Sequence, residues 1–419
     1  MPIERAPYLI YSEQVSLANA VSNGGADILA IIAPTKFAKT TSSGAIETET
    51  VEGQTVTKWY NPTVSDDEIL IFNKYSVAEQ LIKSEEVLND LKDFFLENSY
   101  YSAQDNLGVN AVMLIPLPET PTVQNFLDAY KILRKYRKIT AIGCVGITPS
   151  ESMLVALRQY LVEDQGEGQL KIAYIKAPAK GQNETITQYA TKIAQLNQTH
   201  KETKTVEGQS QEVDVEGANS SRIAFIEPTH YGTLLAKICN TLYYIEPGYL
   251  PLNSLSVGEF EVLSNEERDK LCMSGLIFGE DDVLLPTTVP RICLGVSSAF
   301  GRPYSPTAQN YDTRPADALL HARRNVDHHV REILGILAYQ LKRNETNVTL
   351  RYVKNEVMGY LEEELSNGTI QAYSFNVEES SYNPYCLLVT GAIVPVNSTL
   401  AIEFSNYIGA PYTIASDYV

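Results

Sequence analysis

Long apolar runs, paired cysteines and an excess of basic residues are all absent from this sequence, and each absence excludes a class of protein. No stretch reaches the length of about eighteen apolar residues that a membrane-spanning helix needs, so we expect no direct membrane insertion. The five cysteines stand singly, with no CxxC pair among them. We therefore expect reduced, buried thiols in a protein made in a cytoplasm, and residues 1–7 show no secretory signal.

Negative charge prevails along the chain. Lys and Arg together number 33 against 51 Asp and Glu, which gives a formal net charge of -18, and the acids are scattered rather than gathered in one tail. Because phosphate binding needs a basic groove, we expect no direct contact with nucleic acid. The acidity is interpreted as a source of solubility, with charge complementarity between copies in an assembly as the alternative.

The common catalytic motifs are also missing. The sequence contains no GxSxG, no HExxH, no Walker-type GxxxxGKS/T and no GxGxxG after a strand. The stretch Pro178–Gly181 superficially resembles a phosphate cradle, but it lacks the first glycine and the Lys-Ser/Thr pair, so we interpret it as a loop between a strand and a helix. We expect no catalytic site and no cofactor. An α/β enzyme with an unfamiliar site near Lys180 or His230 is the alternative.

One helical segment carries a candidate metal site. His328 and Glu332 are four residues apart and could share a helix face, but two ligands do not make a site. We interpret the segment instead as an exposed or inter-subunit charge network, formed by Arg323, Arg324, Asp327 and Arg331. The acidic run 279–282 lacks the alternating ligand spacing of a calcium loop and is interpreted as a solvated turn.

Strand and helix patterns alternate through the first half of the chain. Near-continuous apolar strands are predicted at residues 28–33, 109–115, 140–147, 170–177 and 222–227. Helical patterns fill most of the gaps; one covers 77–97, with Lys83, Glu86, Asp90 and Glu97 available to solvent, and another begins at Thr122. This alternation predicts βαβ units and a mostly parallel α/β layer covered on both faces. The polar stretch 201–221 is predicted to be a surface loop or hairpin.

After Pro303 the pattern changes to two long helices followed by strands of period two. One apolar stripe runs from Val326 to Leu341 and a second from Val353 to Leu365, and Gly368 follows where a helix end is expected. Strands are predicted at residues 373–377, 386–395 and 400–405. These patterns predict a separate C-terminal α+β unit of helices and antiparallel strands.

Four segments follow from these patterns, with extended arms at both ends. They are an N-terminal arm at 1–20, an α/β region at 21–303, an α+β domain at 304–410 and a tail at 411–419. The arm is short, aromatic and β-prone around Tyr8, Leu9, Ile10 and Tyr11, and prolines at positions 2 and 7 keep it extended and detached.

The stretch 231–317 resembles the contractile tail sheath family of phages and phage-derived particles. In order it carries Leu234-Leu235-Ala236-Lys237-Ile238, Pro247-Gly248-Tyr249-Leu250-Pro251-Leu252-Asn253, Glu266-Glu267-Arg268-Asp269-Lys270-Leu271 and Gly275-Leu276-Ile277. The family has a small-residue helix, a proline-bounded turn and an acidic helix followed by glycine at matching places. Arg323-Arg324-Asn325-Val326-Asp327 and the strand at 400–404 are also similar, so the resemblance covers roughly residues 225–410.

The resemblance implies a structural subunit rather than an enzyme. Such subunits form a helical stack of rings around an inner tail tube, contract, and work with baseplate and tail terminator proteins in a virion tail or phage-like particle. They exchange terminal arms, which implies an inter-subunit arm at Tyr8–Tyr11 and an inter-subunit strand at Leu400, Ile402 and Phe404. The charge network and the helices at 324–365 would face the tube or a neighbouring subunit. Another self-assembling shell or surface-layer protein is the alternative.

Overall fold

A mixed sheet of eight strands forms the centre of the computed structural model. The structure describes residues 27–39, 46–52, 54–105, 111–147, 150–197, 201–206, 209–214, 222–245, 247, 252, 263–281, 290–293, 320–338, 346–379, 381 and 387–396. The order of strands in the sheet is β14-β13-β12-β9-β8-β1-β7-β6. The strands are β1 (Leu29–Pro34), β6 (Leu70–Phe72), β7 (Val112–Leu117), β8 (Ala141–Cys144), β9 (Ile172–Lys176), β12 (Ile223–Ile226), β13 (Leu276–Asp281) and β14 (Pro290–Cys293).

Neighbouring strands from β13 to β7 pair in parallel, and only the two outermost strands of this sheet, β14 and β6, pair antiparallel. The inner strands are buried along their whole length, as a sheet covered on both faces requires. The predicted α/β layer is therefore confirmed.

Helices cover both faces of the sheet. They are α1 (Tyr75–Leu81), α2 (Glu85–Asp105), α3 (Val123–Lys135), α4 (Glu151–Gly166), α5 (Ile186–Asn197), α6 (Tyr231–Asn240) and α7 (Asn265–Ser274). On β1, Ala30 and Ile32 pack in one core with α3, α4, α5 and α7, whereas Leu29 and Ile31 pack in the other with α1, α2 and α6. The alternation of side chains along the strand thus builds a three-layer αβα body.

The predicted extent of one helix is wrong, and so is the predicted exposure of two of its acidic residues. The 77–97 pattern is divided between α1 and α2, because Ile82 leaves the helix to form a bridge with Phe37, and the Ser84 N–H donates to Thr35 Oγ1. Asp90 and Glu97, which the helical pattern places on the solvent side of α2, are buried. The acidic run at 279–282 is also not simply a turn, since its first three residues belong to β13 and pair with β14.

A smaller unit follows the body in the chain. It contains α8 (Leu320–Ala338), α9 (Thr346–Ser366), β15 (Ile370–Glu379) and β16 (Leu387–Pro395). Its core joins Val353, Val357 and Leu361 of α9 to the two strands and to the last turns of α8. Gly368 takes a φ of 72° just after α9, as the predicted helix end requires. The predicted C-terminal α+β arrangement is therefore confirmed.

Three small antiparallel pairs lie apart from the main sheet. They are β2 (Phe37–Ala38) with β5 (Trp59–Tyr60), β3 (Thr48–Val51) with β4 (Gln54–Thr57), and β10 (Lys201–Val206) with β11 (Gln209–Asp214). The last pair is the hairpin predicted within 201–221.

Three predicted segments lie outside the described residues: the inter-subunit arm with Tyr8, Leu9, Ile10 and Tyr11, the inter-subunit strand with Leu400, Ile402 and Phe404, and the tail at 411–419. The four segment boundaries stay predictions. Among the described helices, none combines the length and the apolar character needed to cross a bilayer.

Candidate interface on the C-terminal unit

The first half of α8 packs against the amino ends of the parallel strands, and we call this contact the seam. Asp27 lies two residues before β1, and Arg222 immediately precedes β12. Arg324 Nε lies 3.1 Å from Asp27 Oδ2, and the Arg222 guanidinium donates two hydrogen bonds, of 2.5 and 2.9 Å, to the Asp327 carboxylate. These ion pairs fasten the C-terminal unit to the body.

Two further arginine contacts reach backbone carbonyls of the body. Arg324 Nη2 donates to the Thr241 carbonyl at 2.6 Å, just after α6. Arg331 Nη1 donates to the Leu170 carbonyl at 3.0 Å, just before β9. The seam therefore runs across the amino ends of several neighbouring strands of the sheet.

The seam contains the four residues of the predicted charge network, but in a different setting. Arg323, Arg324 and Asp327 are buried, and Arg323 lies 3.9 Å from Asp327 on the same helix. Arg324 and Asp327 take their partners from the body of the same chain, so the expectation of an exposed network is corrected. The density of charge in the sequence indicated a network but could not name Asp27 and Arg222 as its other half. Whether these residues also approach a tube or a neighbouring subunit stays a prediction.

Aromatic and imidazole rings close the seam on the side of α9. His328 stacks on Tyr243, with ring centroids 3.6 Å apart and an angle of 11° between the planes. His329 Nδ1 lies 2.7 Å from the Tyr360 hydroxyl. Glu364 accepts hydrogen bonds from Tyr243 at 3.3 Å and from Thr369 Oγ1 at 2.5 Å.

The histidines of the seam resist protonation. Burial lowers the pKa of His328 to about 3, with the charges of Arg331, His329 and Arg324 adding to the effect. Burial also lowers the pKa of His329, against the opposing charge of Glu364. Within the part of the chain that the structure describes, no group of three or more His, Cys, Asp or Glu side chains is placed to hold a metal ion. The metal interpretation of His328 and Glu332 thus finds no third ligand there.

The sheet formed by β15 and β16 has two open edges. Each strand pairs with the other over most of its length, and no other described strand joins the sheet. Unpaired backbone N–H and C=O groups along a sheet edge can accept another strand.

An apolar groove of about 590 Å³ follows the outer part of β16. It is lined by Val326, Val330, Ile333, Leu334 and Leu337 of α8, by Phe375 of β15, and by residues 391–395 of β16. Ser374 of β15 and Leu361 of α9 also line it, so the groove lies between α8 and the β15–β16 sheet, and consecutive residues of β16 form one of its walls. A strand bound beside β16 would meet the apolar side chains of the groove and could pair with the unpaired backbone groups of β16.

The carboxyl ends of the parallel strands lie at the other end of the main sheet, where an α/β enzyme would bind its ligand. In an open α/β sheet, ligands bind where neighbouring strands send their connections in opposite directions, which here is between β1 and β8. At this point Gly146 follows β8 with a φ of 62°, and a side chain there would touch Val87 of α2 and Pro34 of β1. The side chains of Val87 and Pro34 therefore lie directly against the backbone at this point of the crevice.

The two residues of the enzyme alternative have ordinary structural partners. The Lys180 ammonium donates to the Glu184 carbonyl at 3.0 Å, within the loop that leads to α5. His230 Nδ1 lies 3.1 Å from Glu227 Oε1. The structure does not bring Lys180 and His230 into one described cavity.

Two solved structures share this fold over nearly the whole chain. One is a chain of the anti-feeding prophage helical sheath in its contracted state, with a TM-score of 0.58, 13% sequence identity, and coverage of 97% of this chain and 99% of that one. The other is a chain of the anti-feeding prophage baseplate, 6-fold symmetrised, with a TM-score of 0.60, 11% identity, and coverage of 97% and 100%. No family model and no curated protein matches the sequence. At these identities the likeness establishes the fold.

Proposed function

We propose that this chain, which has the fold of a contractile sheath chain, is itself a structural subunit of such a sheath. Many copies would form a helical stack of rings around an inner tail tube, and contraction of the stack would drive the tube through a target envelope. Baseplate and tail terminator proteins would be the other partners. The site of action is a virion tail or phage-like particle, with the subunit made in the host cytoplasm.

The open β15–β16 sheet beside the apolar groove is the observation that carries this proposal. A sheet of two strands is marginal by itself, and its edges invite pairing with a strand of another copy. The residues predicted to supply such strands are Tyr8–Tyr11 at one end of the chain and Leu400, Ile402 and Phe404 at the other. Each added strand also buries apolar area, which contributes on the order of 25 cal/mol per Å² before ordering costs.

Contraction in this scheme needs no nucleotide and no active site. An extended assembly relaxes to a better-packed one, while exchanged strands keep neighbouring copies joined. The paired seam supports this scheme, because a subunit whose two units are fastened together transmits force instead of coming apart. The close packing of Val87 and Pro34 around Gly146, between β1 and β8, weighs against a ligand site at that point and so against the enzyme alternative.

Negative-stain microscopy of the purified full chain tests the proposal. Rods or tubes are the expected product, whereas flat lattices or closed cages would favour the shell or surface-layer alternative. The chain lacking residues 1–15 should fold with the same circular dichroism spectrum but stay monomeric. As a matched control, replacing the exposed β3–β4 hairpin by a short Gly-Ser turn should leave the rods intact. Rods formed without residues 1–15 would overturn the arm assignment.

A further inference from the structure

Histidine is concentrated at the seam. Three of the chain's five histidines, His321, His328 and His329, lie on α8, and all three are in the half that contacts the body. His321 and His329 are buried, and His328 is half-buried beneath the ring of Tyr243. Histidine is the side chain whose charge changes between neutral and mildly acidic pH, so this location ties the seam to pH.

The surroundings of His328 are already positive. It lies on the same helix face as Arg324, one turn before it, and close to Arg331, one turn after it. Its ring is stacked on Tyr243, which leaves no room for a carboxylate on that side. A proton on His328 would add a third positive charge in a place from which water is largely excluded.

His329 has a mixed environment. Its Nδ1 faces the Tyr360 hydroxyl at 2.7 Å, and Glu364 Oε2 lies 3.9 Å away. The charged and titratable groups around the two histidines come from α8 (Arg323, Arg324, Asp327, Arg331 and Glu332), the body (Asp27 and Arg222), the turn after α6 (Tyr243 and Tyr244) and α9 (Tyr360, Glu363 and Glu364). Glu364 can compensate a proton on His329, whereas the neighbouring charges that act most strongly on His328 are positive.

We propose that the seam is an acid-labile joint: protonation of His328 and His329 below neutral pH separates α8 from the amino ends of the strands while the αβα body stays folded. The paired arginines and aspartates hold the joint at neutral pH. In acid, the new imidazolium charges face Arg324 and Arg331, and hydration of the opened contact relieves that repulsion.

Proton linkage determines whether the closed seam gains or loses stability as the pH falls. The closed seam holds His328 neutral down to a pKa of about 3, whereas an exposed histidine binds a proton near pH 6.5. The open state therefore binds more protons between these values, and the closed seam loses stability as pH falls through this window. For one such histidine, the opening constant rises about tenfold for each pH unit below about 6.5.

The body responds in the opposite sense at Asp90. Burial raises the pKa of this carboxyl to about 6, against the opposing charge of Lys176, so its burial becomes easier as pH falls below 6. Mild acid therefore destabilises the seam over the same range of pH in which protonation of Asp90 makes the body more stable. A local opening, distinct from unfolding, is the result.

Hydrogen exchange on the full chain tests this proposal, with rates corrected for the intrinsic effect of pH. Between pH 6.5 and 5.0, protection of amides in residues 320–329 should fall about sixteenfold relative to β1 and β7. Trp59, the only tryptophan, lies in β5 of the body, so its emission should stay constant over this range. The proposal would be overturned if amides in α8 and in the sheet lost protection from exchange equally, or if neither lost protection.

Substitutions of His328 test whether this histidine causes the opening of the seam in acid. His328→Phe keeps a ring against Tyr243 but cannot take a proton, so it should abolish most of the acid response. If His328→Phe does not fold, His328→Gln removes the same titration without a ring. His230→Gln, outside the seam, should open in acid like the unaltered chain. An acid response that persists in both His328 variants would contradict the proposal.

Discussion

Arg222 and Asp327 form a two-bond ion pair that joins the sheet to helix α8 across 105 positions of sequence. Both side chains are almost fully buried, with 2% and 3% of their surfaces exposed. In such a place the pair contributes mainly by the penalty that follows when one partner is removed.

Removing one partner of this pair should therefore be severe. Asp327→Asn leaves the Arg222 charge buried without its carboxylate and should lower the free energy of unfolding by about 3 kcal/mol. The double variant Arg222→Met with Asp327→Leu should recover part of that loss, because Arg222 no longer needs a carboxylate while Arg323 still loses one. Urea denaturation measures both. As a control, Glu266→Gln breaks the exposed pair with Lys270 and should leave the midpoint unchanged. An Asp327→Asn midpoint equal to that control would contradict the role of the seam.

Gly232 allows α6 to cross α2 at close range. A side chain at this position would collide with the backbone carbonyl of Asp90, which cannot move without displacing α2. Gly232→Ala should therefore cost about 3 kcal/mol of stability or prevent folding. Gly335→Ala on α8 is the matched control, since nothing lies within 4 Å of its added methyl group. That change should stabilise the chain by up to about 1 kcal/mol in the same denaturation experiment.

Asp90 should make stability fall as pH rises. Its pKa is raised from 3.8 to about 6 by burial, so the folded state binds more protons than the unfolded state between these values. The contribution is most favourable below pH 4, declines as pH rises through 6 and is constant above that. Relative to Asp90→Asn, the unaltered chain should lose up to about 3 kcal/mol of unfolding free energy between pH 4 and 7. A difference between the two proteins that does not vary with pH would refute this reading.

Leu334 and Leu365 allow a leucine that lines the groove to be compared with an exposed leucine that does not. Both are about two-fifths exposed on helices of the C-terminal unit, at 38% and 42%, but only Leu334 lines the groove beside β16. Leu334→Asp should prevent assembly while leaving a folded monomer, because a carboxylate in the groove is buried when a strand enters. Leu365→Asp should assemble normally. Sedimentation and microscopy compare them, and equal assembly of both would exclude the groove as a joining surface.

The layout of the body could be predicted because burial on both faces leaves a direct trace in the sequence. The strand of residues 28–33 and the helix after Thr122 are recognisable from apolar periodicity, and their neighbours repeat the pattern. The two helices and the β-strands of the C-terminal unit follow the same rule, with Gly368 as a local stop.

The seam could not be predicted, because its partners are distant in sequence. Nothing near Arg324 indicates that it meets Asp27, 297 positions away, and nothing near His328 indicates a stack on Tyr243. Periodicity places a charge on the outer side of its own helix, but it cannot reveal that another element packs there. For the same reason Asp90, interpreted as solvent-facing, is buried against Lys176 at 2.9 Å.

Exchange of strands between copies can be measured most directly by a disulfide between two differently substituted chains. One variant carries a cysteine at Tyr8, Leu9, Ile10 or Tyr11 in turn, and the other carries Ala392→Cys at the exposed edge of β16. After mixing, assembly and mild oxidation, the account predicts a covalent dimer of the two variants for at least one arm position. A chain carrying both cysteines that closes only on itself, with no dimer from the mixed pair, would contradict it.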